Sequence, residues 1–312
     1  MIPFLAAMTM LGVRLFVPKE YRVRKQKRSL RRVINGYWPY MVAAGISFGL
    51  VQLQYEIRGY LNLTGQQEYT ALTYSIEGSR VAVFQSFVSP YLTYAMSFIY
   101  LILFSFIIIF TFVLFIYTDN IKGLERYTII FMMNYTVALP FYIFFPLKVT
   151  GFYLQGMEPL LYNLHPVIYD GVRSIDPYLT NNFPSLHTSL SLSALLAAVY
   201  YTDMKKYKVF TMVSTVLVIF SIFYLGIHWL TDMLGGILLA VMAFWLVTRY
   251  DRLFLGILHR IAVRVEKILG IKDTVVCPEC ETAVKVTPHE GHVPCPRCGN
   301  EMRYHPILTG RA

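Results

Sequence analysis

Residues 97–118 read SFIYLILFSFIIIFTFVLFIYT, with no charged side chain anywhere in the stretch. The gap is wider still, since no Asp, Glu, Lys or Arg occurs between Arg80 and Asp119. About 20 apolar residues carry a helix across bilayer hydrocarbon. Backbone polar groups there must pair within their own segment, so the run is a helix. Charge-free gaps also separate Arg32 from Glu56, Arg126 from Lys148, Asp176 from Asp203 and Lys208 from Asp232, with a shorter one from Asp232 to Arg249. Composition points the same way: 56% of the 312 residues are hydrophobic and 15% charged, against about 25% charged in a soluble domain. The fold class read from these runs is all-α, a polytopic six-helix transmembrane bundle. Its spans lie near 35–54, 92–117, 127–146, 184–202, 209–227 and 230–248.

The formal charge of +10 reports topology. With the N-terminus inside, segments 1–34, 118–126, 203–208 and 249–312 hold 24 of the 28 Lys and Arg residues, leaving Arg58, Arg80, Lys148 and Arg173 outside. Basic residues accumulate on the cytoplasmic side of membrane proteins. The expectation is therefore a multi-pass cell-membrane protein with cytoplasmic N- and C-termini, and no nucleic-acid partner is expected.

Four units follow. Residues 1–34 form an interfacial helix and a basic cytoplasmic segment, Lys19 to Arg32, that lies against anionic headgroups. Residues 35–249 are the six-span catalytic domain. In 250–272, Leu253, Ile257, Leu258, Ile261, Val265 and Ile268 recur at helical spacing opposite Arg260, Arg264 and Lys267, which describes an amphipathic juxtamembrane helix. Residues 273–312 carry all four cysteines, as Cys277-Pro-Glu-Cys280 and Cys295-Pro-Arg-Cys298. Two such knuckles close a tetrahedral four-thiolate site for a structural zinc ion, with no open position for catalysis. Disulfides are disfavoured in a reducing cytoplasm. His289 and His292 lie in the same loop, where four thiolates make them unnecessary as ligands. Such a ribbon folds on its metal and offers either stability or docking to a cytosolic protein partner. Between the spans, 55–91 and 147–183 form long outside segments, and Asn62-Leu63-Thr64 fits a glycosylation acceptor.

Ionisable residues at membrane depth are functional candidates, and two constellations at outer helix ends qualify. In Asn181-Asn182-Phe183-Pro184-Ser185-Leu186-His187, Asn182 is placed as the helix cap and Pro184 in the first turn. Free backbone N–H groups there, with the Ser185 hydroxyl, make a phosphate seat. In Gly226-Ile227-His228-Trp229-Leu230-Thr231-Asp232, the carboxylate stands about one turn from His228 and fixes its tautomer. One imidazole attacking phosphorus while the other protonates the leaving oxygen is a metal-independent phosphoryl-transfer apparatus. Lys148 and Ser185 are the nearest donors for phosphate charge.

FPSLH (183–187) and LGIHWLTDMLGG (225–236) resemble signature motifs of the type-2 phosphatidic acid phosphatase superfamily. The resemblance spans about 120–236. It implies a six-helix bundle with an outer-face site, His228 as nucleophile, Asp232 as its orienting partner, His187 as general acid and Ser185 as phosphate ligand. It also implies a membrane-lipid substrate and no catalytic cofactor. The sequence departs from the motifs at Ile222, where an arginine is usual, at Gln155 in the first motif, and at Leu186 in place of glycine. These departures look like the inositol phosphorylceramide synthase branch, so the implied activity is that of a lipid phosphatase or a lipid headgroup phosphotransferase. The competing reading is a non-catalytic membrane scaffold or transporter with a zinc-ribbon docking module.

Overall fold

The computed structural model describes residues 2–23, 30–61, 63 and 69–304. Residues 24–29 of the basic run, and Asn62 and Thr64 of the acceptor triplet, lie outside them. The described chain is mostly helical, with two small hairpins at its C-terminal end. Its main helices are α1 (Ile2–Phe16), α2 (Leu30–Tyr60), α3 (Thr70–Glu77), α4 (Pro90–Thr118), α5 (Ile121–Phe144), α6 (Leu186–Tyr201), α7 (Lys205–Tyr224), α8 (Leu230–Arg249) and α9 (Asp251–Leu269). The ribbon pairs β1 (Asp273–Val276) with β2 (Ala283–Val286) and β3 (His292–Pro294) with β4 (Glu301–Arg303), both antiparallel.

Four helices, α4, α5, α7 and α8, are long and apolar enough to cross a membrane. The count of six spans read from the charge gaps is therefore not matched helix for helix. Helix α6 is apolar but has 16 residues, about 24 Å at 1.5 Å per residue, and α2 is a 31-residue helix that extends well past the expected 35–54 at both ends. The outside segment 55–91 also holds more structure than a loop, namely α3 and a short 3₁₀ turn over Arg80–Gln85.

Local chemistry explains the helix ends. Pro90 opens α4 and Ser89 caps it, its side chain accepting from Leu92 N–H at 3.4 Å. Asp119 leaves α4 in the left-handed region (φ 53°), and Asn120 starts α5 by accepting from Gly123 N–H at 2.9 Å. That tight turn makes α4 and α5 antiparallel neighbours.

Helix α6 is the centre of the bundle, packed on α4, α5, α7 and α8. Its buried face is small: Ser189, Ser191, Ser193, Ala194, Ala197 and Ala198, which lets neighbouring backbones approach closely. Polar bonds then stitch the helices together. Asn134 Nδ2 donates to Ser193 Oγ at 3.1 Å, Thr215 Oγ1 to the Ser191 carbonyl at 3.2 Å, and Thr111 and Tyr207 share a hydroxyl–hydroxyl bond of 2.7 Å. Helix α1 lies on the outside of this group, with Phe16 against Phe110, Tyr207 and Phe210.

The two ends of the bundle differ. At one end α6 begins with His187. At the other, Tyr201 closes α6 with its carbonyl bonded to Asn120 Nδ2, and Arg126 pairs with Asp251. The ribbon docks at this second end. Along α9, Leu253, Ile257, Ile261 and Ile268 remain exposed on the protein, as an apolar stripe lying on a bilayer requires. The face turned to the protein combines apolar contacts, through Phe254, Leu255, Leu258 and buried Ala262, with a polar seam. Glu266 is fully buried and accepts from Trp38 Nε1 (3.1 Å) and from His289 N–H (3.1 Å), and it pairs with His289 Nδ1 at 2.6 Å. His259 and Tyr40 meet Glu125 alongside, each at 3.1 Å. Asn35 Nδ2 to Asp273 (3.0 Å) and Lys267 to Glu290 (2.7 Å) complete the seam.

Each cysteine knuckle closes in the same way. Cys277 N–H donates to the Thr282 carbonyl at 2.9 Å, and Cys295 N–H to the Asn300 carbonyl at 2.8 Å. Four sulfurs held to one metal ion at about 2.3 Å in a tetrahedron stand about 3.8 Å apart. Here Cys277 to Cys298 is 3.7 Å and Cys280 to Cys295 is 3.6 Å, with all four within 4.8 Å. Bonds from the Thr282 side chain and backbone bring the Cys280 thiol down to about 6, which favours the thiolate a metal needs. The cluster fits a metal ion, and the spacings are far beyond a disulfide. His289 takes no part in it; its ring belongs to Glu266.

Two changes test this seam. Stripping the metal with a chelator should make residues 273–304 cleavable by protease while leaving the bundle intact. Glu266→Ala should release the ribbon with its metal still bound, at a cost on the order of 3 kcal/mol for the three donors left without an acceptor.

Candidate active site

The segment before α6 is threaded under the end of the bundle. Leu147 N–H donates to the Thr180 carbonyl at 2.9 Å, and Asn182 Nδ2 donates to the Leu147 carbonyl at 2.6 Å. Asn182 is therefore not the cap expected from the sequence. Ser185 is: its Oγ accepts from Thr188 N–H at 3.3 Å, and α6 begins at Leu186. Pro184, after a cis peptide bond, lies before the cap. Asn182 lost the role because its amide is committed to Leu147. The Ser185 hydroxyl is fully buried and also accepts from Thr188 Oγ1 at 3.3 Å. Among the described residues the N–H groups of Leu186 and His187 meet no acceptor, as expected for a first helical turn.

The second motif is a sharp turn between α7 and α8. Gly226 takes φ +72°, and a Cβ there would stand 2.5 Å from the Glu158 carbonyl. The Ile227 and His228 N–H groups both return to the Ile222 carbonyl, at 3.0 and 3.2 Å. Gln85 braces the turn, donating from Nε2 to the Tyr224 and Glu158 carbonyls at 2.8 Å each. Asp232, in the first turn of α8 and fully buried, accepts from Trp229 N–H at 2.9 Å and meets His228 Nδ1 at 3.1 Å through the same oxygen, Oδ2.

The two motifs meet. His228 Nε2 stands 3.4 Å from His187 Nδ1, on the neighbouring helix. The His187 ring lies stacked on Tyr100 (centroids 4.3 Å, 27°) and against Phe104 (4.5 Å). Tyr100 falls in a π turn of α4 at Ile99–Leu103, a distortion that recurs at functional sites. Backbones of α6 and α8 touch directly here: Ser185 N–H donates to the Asp232 carbonyl at 3.0 Å, and a Cβ on Gly236 would lie 2.5 Å from the Ser185 carbonyl.

Lys148 is tied in through its backbone. Its N–H donates to Thr70 Oγ1 at 3.1 Å and its carbonyl accepts from Trp229 Nε1 at 2.8 Å, while the residue itself is exposed at this end of the bundle. His187, His228, Asp232 and Ser185 thus come together in space, with Lys148 at the margin.

Glu77, at the end of α3, escaped the sequence reading. Its carboxylate accepts from Leu230 N–H at 3.0 Å and Thr231 N–H at 2.8 Å, capping α8 from another element. Burial pushes its carboxyl above the usual range, and the two N–H donors pull it back. With the α8 N-terminus filled by this carboxylate, α6 is the helix whose first turn remains open to an anion beside the histidines.

Two imidazoles in contact, one held by a buried carboxylate, stand at the end of a multi-pass helical bundle, an arrangement able to supply both a nucleophile and a general acid. The profile of the PAP2 superfamily matches residues 75–246, more than half of the chain, and the chain belongs to that superfamily. The match begins beside Glu77 and ends within α8; α1, α2, α9 and the ribbon lie outside it. No curated protein and no solved structure matches the chain.

Gly236→Ala should force α8 away from Ser185 and pull the histidines apart. Activity should fall by more than tenfold while the bundle's thermal midpoint drops by only a few degrees, about 1–3 kcal/mol for an overpacked contact. Glu77→Gln, which keeps one acceptor oxygen for α8, should cost less than Glu77→Ala, measured on the same two scales.

Proposed function

We propose that this member of the superfamily acts on a membrane lipid phosphate, as a lipid phosphatase or a lipid headgroup phosphotransferase, through a phosphohistidine on His228. The observation that carries the reading is the relay Asp232–His228–His187, with contacts of 3.1 and 3.4 Å. Asp232 holds the proton on Nδ1, leaving the Nε2 lone pair directed at His187 and at whatever enters between them. In the first half-reaction Nε2 attacks phosphorus, the bond to the leaving oxygen breaks, and His187 gives that oxygen a proton. In the second, His187 takes a proton from water or an acceptor hydroxyl, the new oxygen attacks, and the nitrogen–phosphorus bond breaks. The phosphorylated imidazole is cationic while Nδ1 keeps its proton, and the buried Asp232 carboxylate stabilises it strongly because solvent is excluded.

Open N–H groups at Leu186 and His187, with Ser185 and Lys148, are the candidate phosphate donors. Hydrolase and transferase share the first half-reaction. The departures at Ile222 and Leu186 resemble the inositolphosphotransferase-like branch, and no residue of the site by itself separates transferase from hydrolase. The excess of basic residues on the other side supports an extracytoplasmic position for this end of the bundle and a cytoplasmic one for the ribbon, whose four thiolates suit a structural zinc ion.

The test is a trapping experiment. Full-length protein quenched during turnover of a phosphorus-labelled short-chain phosphatidic acid should carry an acid-labile, base-stable label. His228→Ala should abolish both label and turnover. His187→Ala should slow turnover by roughly 10²–10⁴-fold. Undiminished turnover by His228→Ala would overturn the mechanism.

A further inference from the structure

Near the last turn of α2, outside the segment that the superfamily profile covers, lies Arg58. The residue is 4% exposed. Among the described residues it has two neighbours of note. Its Nη1 donates to Thr180 Oγ1 at 3.1 Å, and its Cζ lies 5.7 Å from the centre of the Tyr178 ring. Its Nε meets no acceptor, and no described carboxylate forms an ion pair with it. A guanidinium cannot shed its proton, and a buried charge without a counter-ion is among the costliest features a fold can keep. Among the described residues, then, no anion stands beside Arg58.

Its position says which anion fits. Thr180 is part of the loop that leads into His187, and its carbonyl holds Leu147 N–H at 2.9 Å. Asn182, two residues on, reaches the Leu147 carbonyl, and the next residue, Lys148, holds Trp229 beside His228. Arg58 is anchored to this same hydrogen-bonded layer. Ile222, where the superfamily motif usually has an arginine, is fully buried among apolar side chains and supplies no charge.

We propose that Arg58 is an anion-binding residue of the active site, taking the oxygens of a phosphate group in place of the cation absent at Ile222. The proposal rests on the phosphoryl-transfer reading above and adds a residue from outside the matched segment. A planar fork of donors suits two oxygens of one phosphate, whether carried by a lipid or released as free phosphate.

The experiment compares Arg58→Gln, which keeps an amide donor for Thr180 but removes the charge, with Thr180→Val, which keeps the charge and removes the tie. Arg58→Lys serves as the folded, charged control. Two readouts are taken on full-length protein in detergent. The first is thermal stabilisation by inorganic phosphate, which needs no turnover. The second is KM and kcat on a short-chain phosphatidic acid. Arg58→Gln should need about tenfold or more phosphate for the same stabilisation and show a KM raised by a similar factor with a smaller change in kcat, while Arg58→Lys recovers part of both. Thr180→Val should stay close to wild type. A response lost for phosphate alone assigns the site to free phosphate, and one lost for the lipid as well assigns it to the lipid headgroup. Arg58→Gln matching wild type in both readouts, or Thr180→Val falling as far as Arg58→Gln, overturns the proposal. His228→Ala is run alongside. If it turns over lipid normally, the phosphohistidine reading fails by itself, while the phosphate titration still judges Arg58.

Discussion

One buried carboxylate oxygen organises the histidine end of this protein. Asp232 Oδ2 accepts from the Trp229 N–H and meets His228 Nδ1, and both partners precede it within four residues. The turn that makes this possible fixes His228 at the head of α8. The Asp232 carbonyl then takes Ser185 N–H, which sets α6 against α8 and brings His187 into contact. A side chain in the second turn of α8 would prevent that approach, and Gly235 and Gly236 stand there, where an added Cβ would meet Phe183 at 2.6 Å and the Ser185 carbonyl at 2.5 Å respectively. Charge in a site closed to water acts far more strongly than at a surface, so a single carboxylate suffices to orient one ring.

The opposite end uses the same device for another purpose. Glu266 is as buried as Asp232 and also gathers an imidazole, a backbone N–H and an indole N–H. There the imidazole belongs to the ribbon, so the carboxylate joins two parts of the chain. Helix α2 connects the two ends. Its 31 residues span about 46 Å, presenting Asn35, Trp38 and Tyr40 to the ribbon seam and Arg58 to the loop before His187. The elements outside the superfamily match are thus built into both ends of the matched bundle.

What the sequence made legible was local. The cysteine spacing, Pro-Ser-x-His and His-x₃-Asp are patterns within a few residues, and the structure brings their side chains together, while the charge gaps marked helices of which four are long and apolar enough to span. What it concealed was long-range. Glu77 caps a helix more than 150 positions away, and no local pattern marks a cap supplied by another element. Arg58 reads as one more outside cation until its burial is seen. The polar seam of α9 at Glu266 was hidden by its apolar stripe, of which Leu258 packs on the bundle while Leu253, Ile257, Ile261 and Ile268 remain exposed. Asn182 satisfied the rule for a helix cap and was displaced by Ser185, because a competing carbonyl at Leu147 is 35 residues away in sequence.

The shortness of α6 bears on what kind of substrate this end can meet. Its 16 residues rise about 24 Å, less than the roughly 30 Å of bilayer hydrocarbon. A helix of that length with one end at a bilayer surface has its other end short of the opposite surface. Non-helical backbone at that depth survives only where protein covers it. The loops around the site meet this condition: Leu147 and Val149 bond to Thr180 and Leu179, and Gly151 to Gly226. The lipid phosphate proposed above would be held at that depth by its own anchoring. At 3.4 Å the rings leave no room for a phosphoryl group. His187 is the ring placed to yield: apart from its 3.4 Å contact with His228, its described ring contacts are a stack on Tyr100 and a tilted contact with Phe104, so a shift gives up that one polar contact. His228, held at Nδ1 and by a buried turn, stays in place to attack.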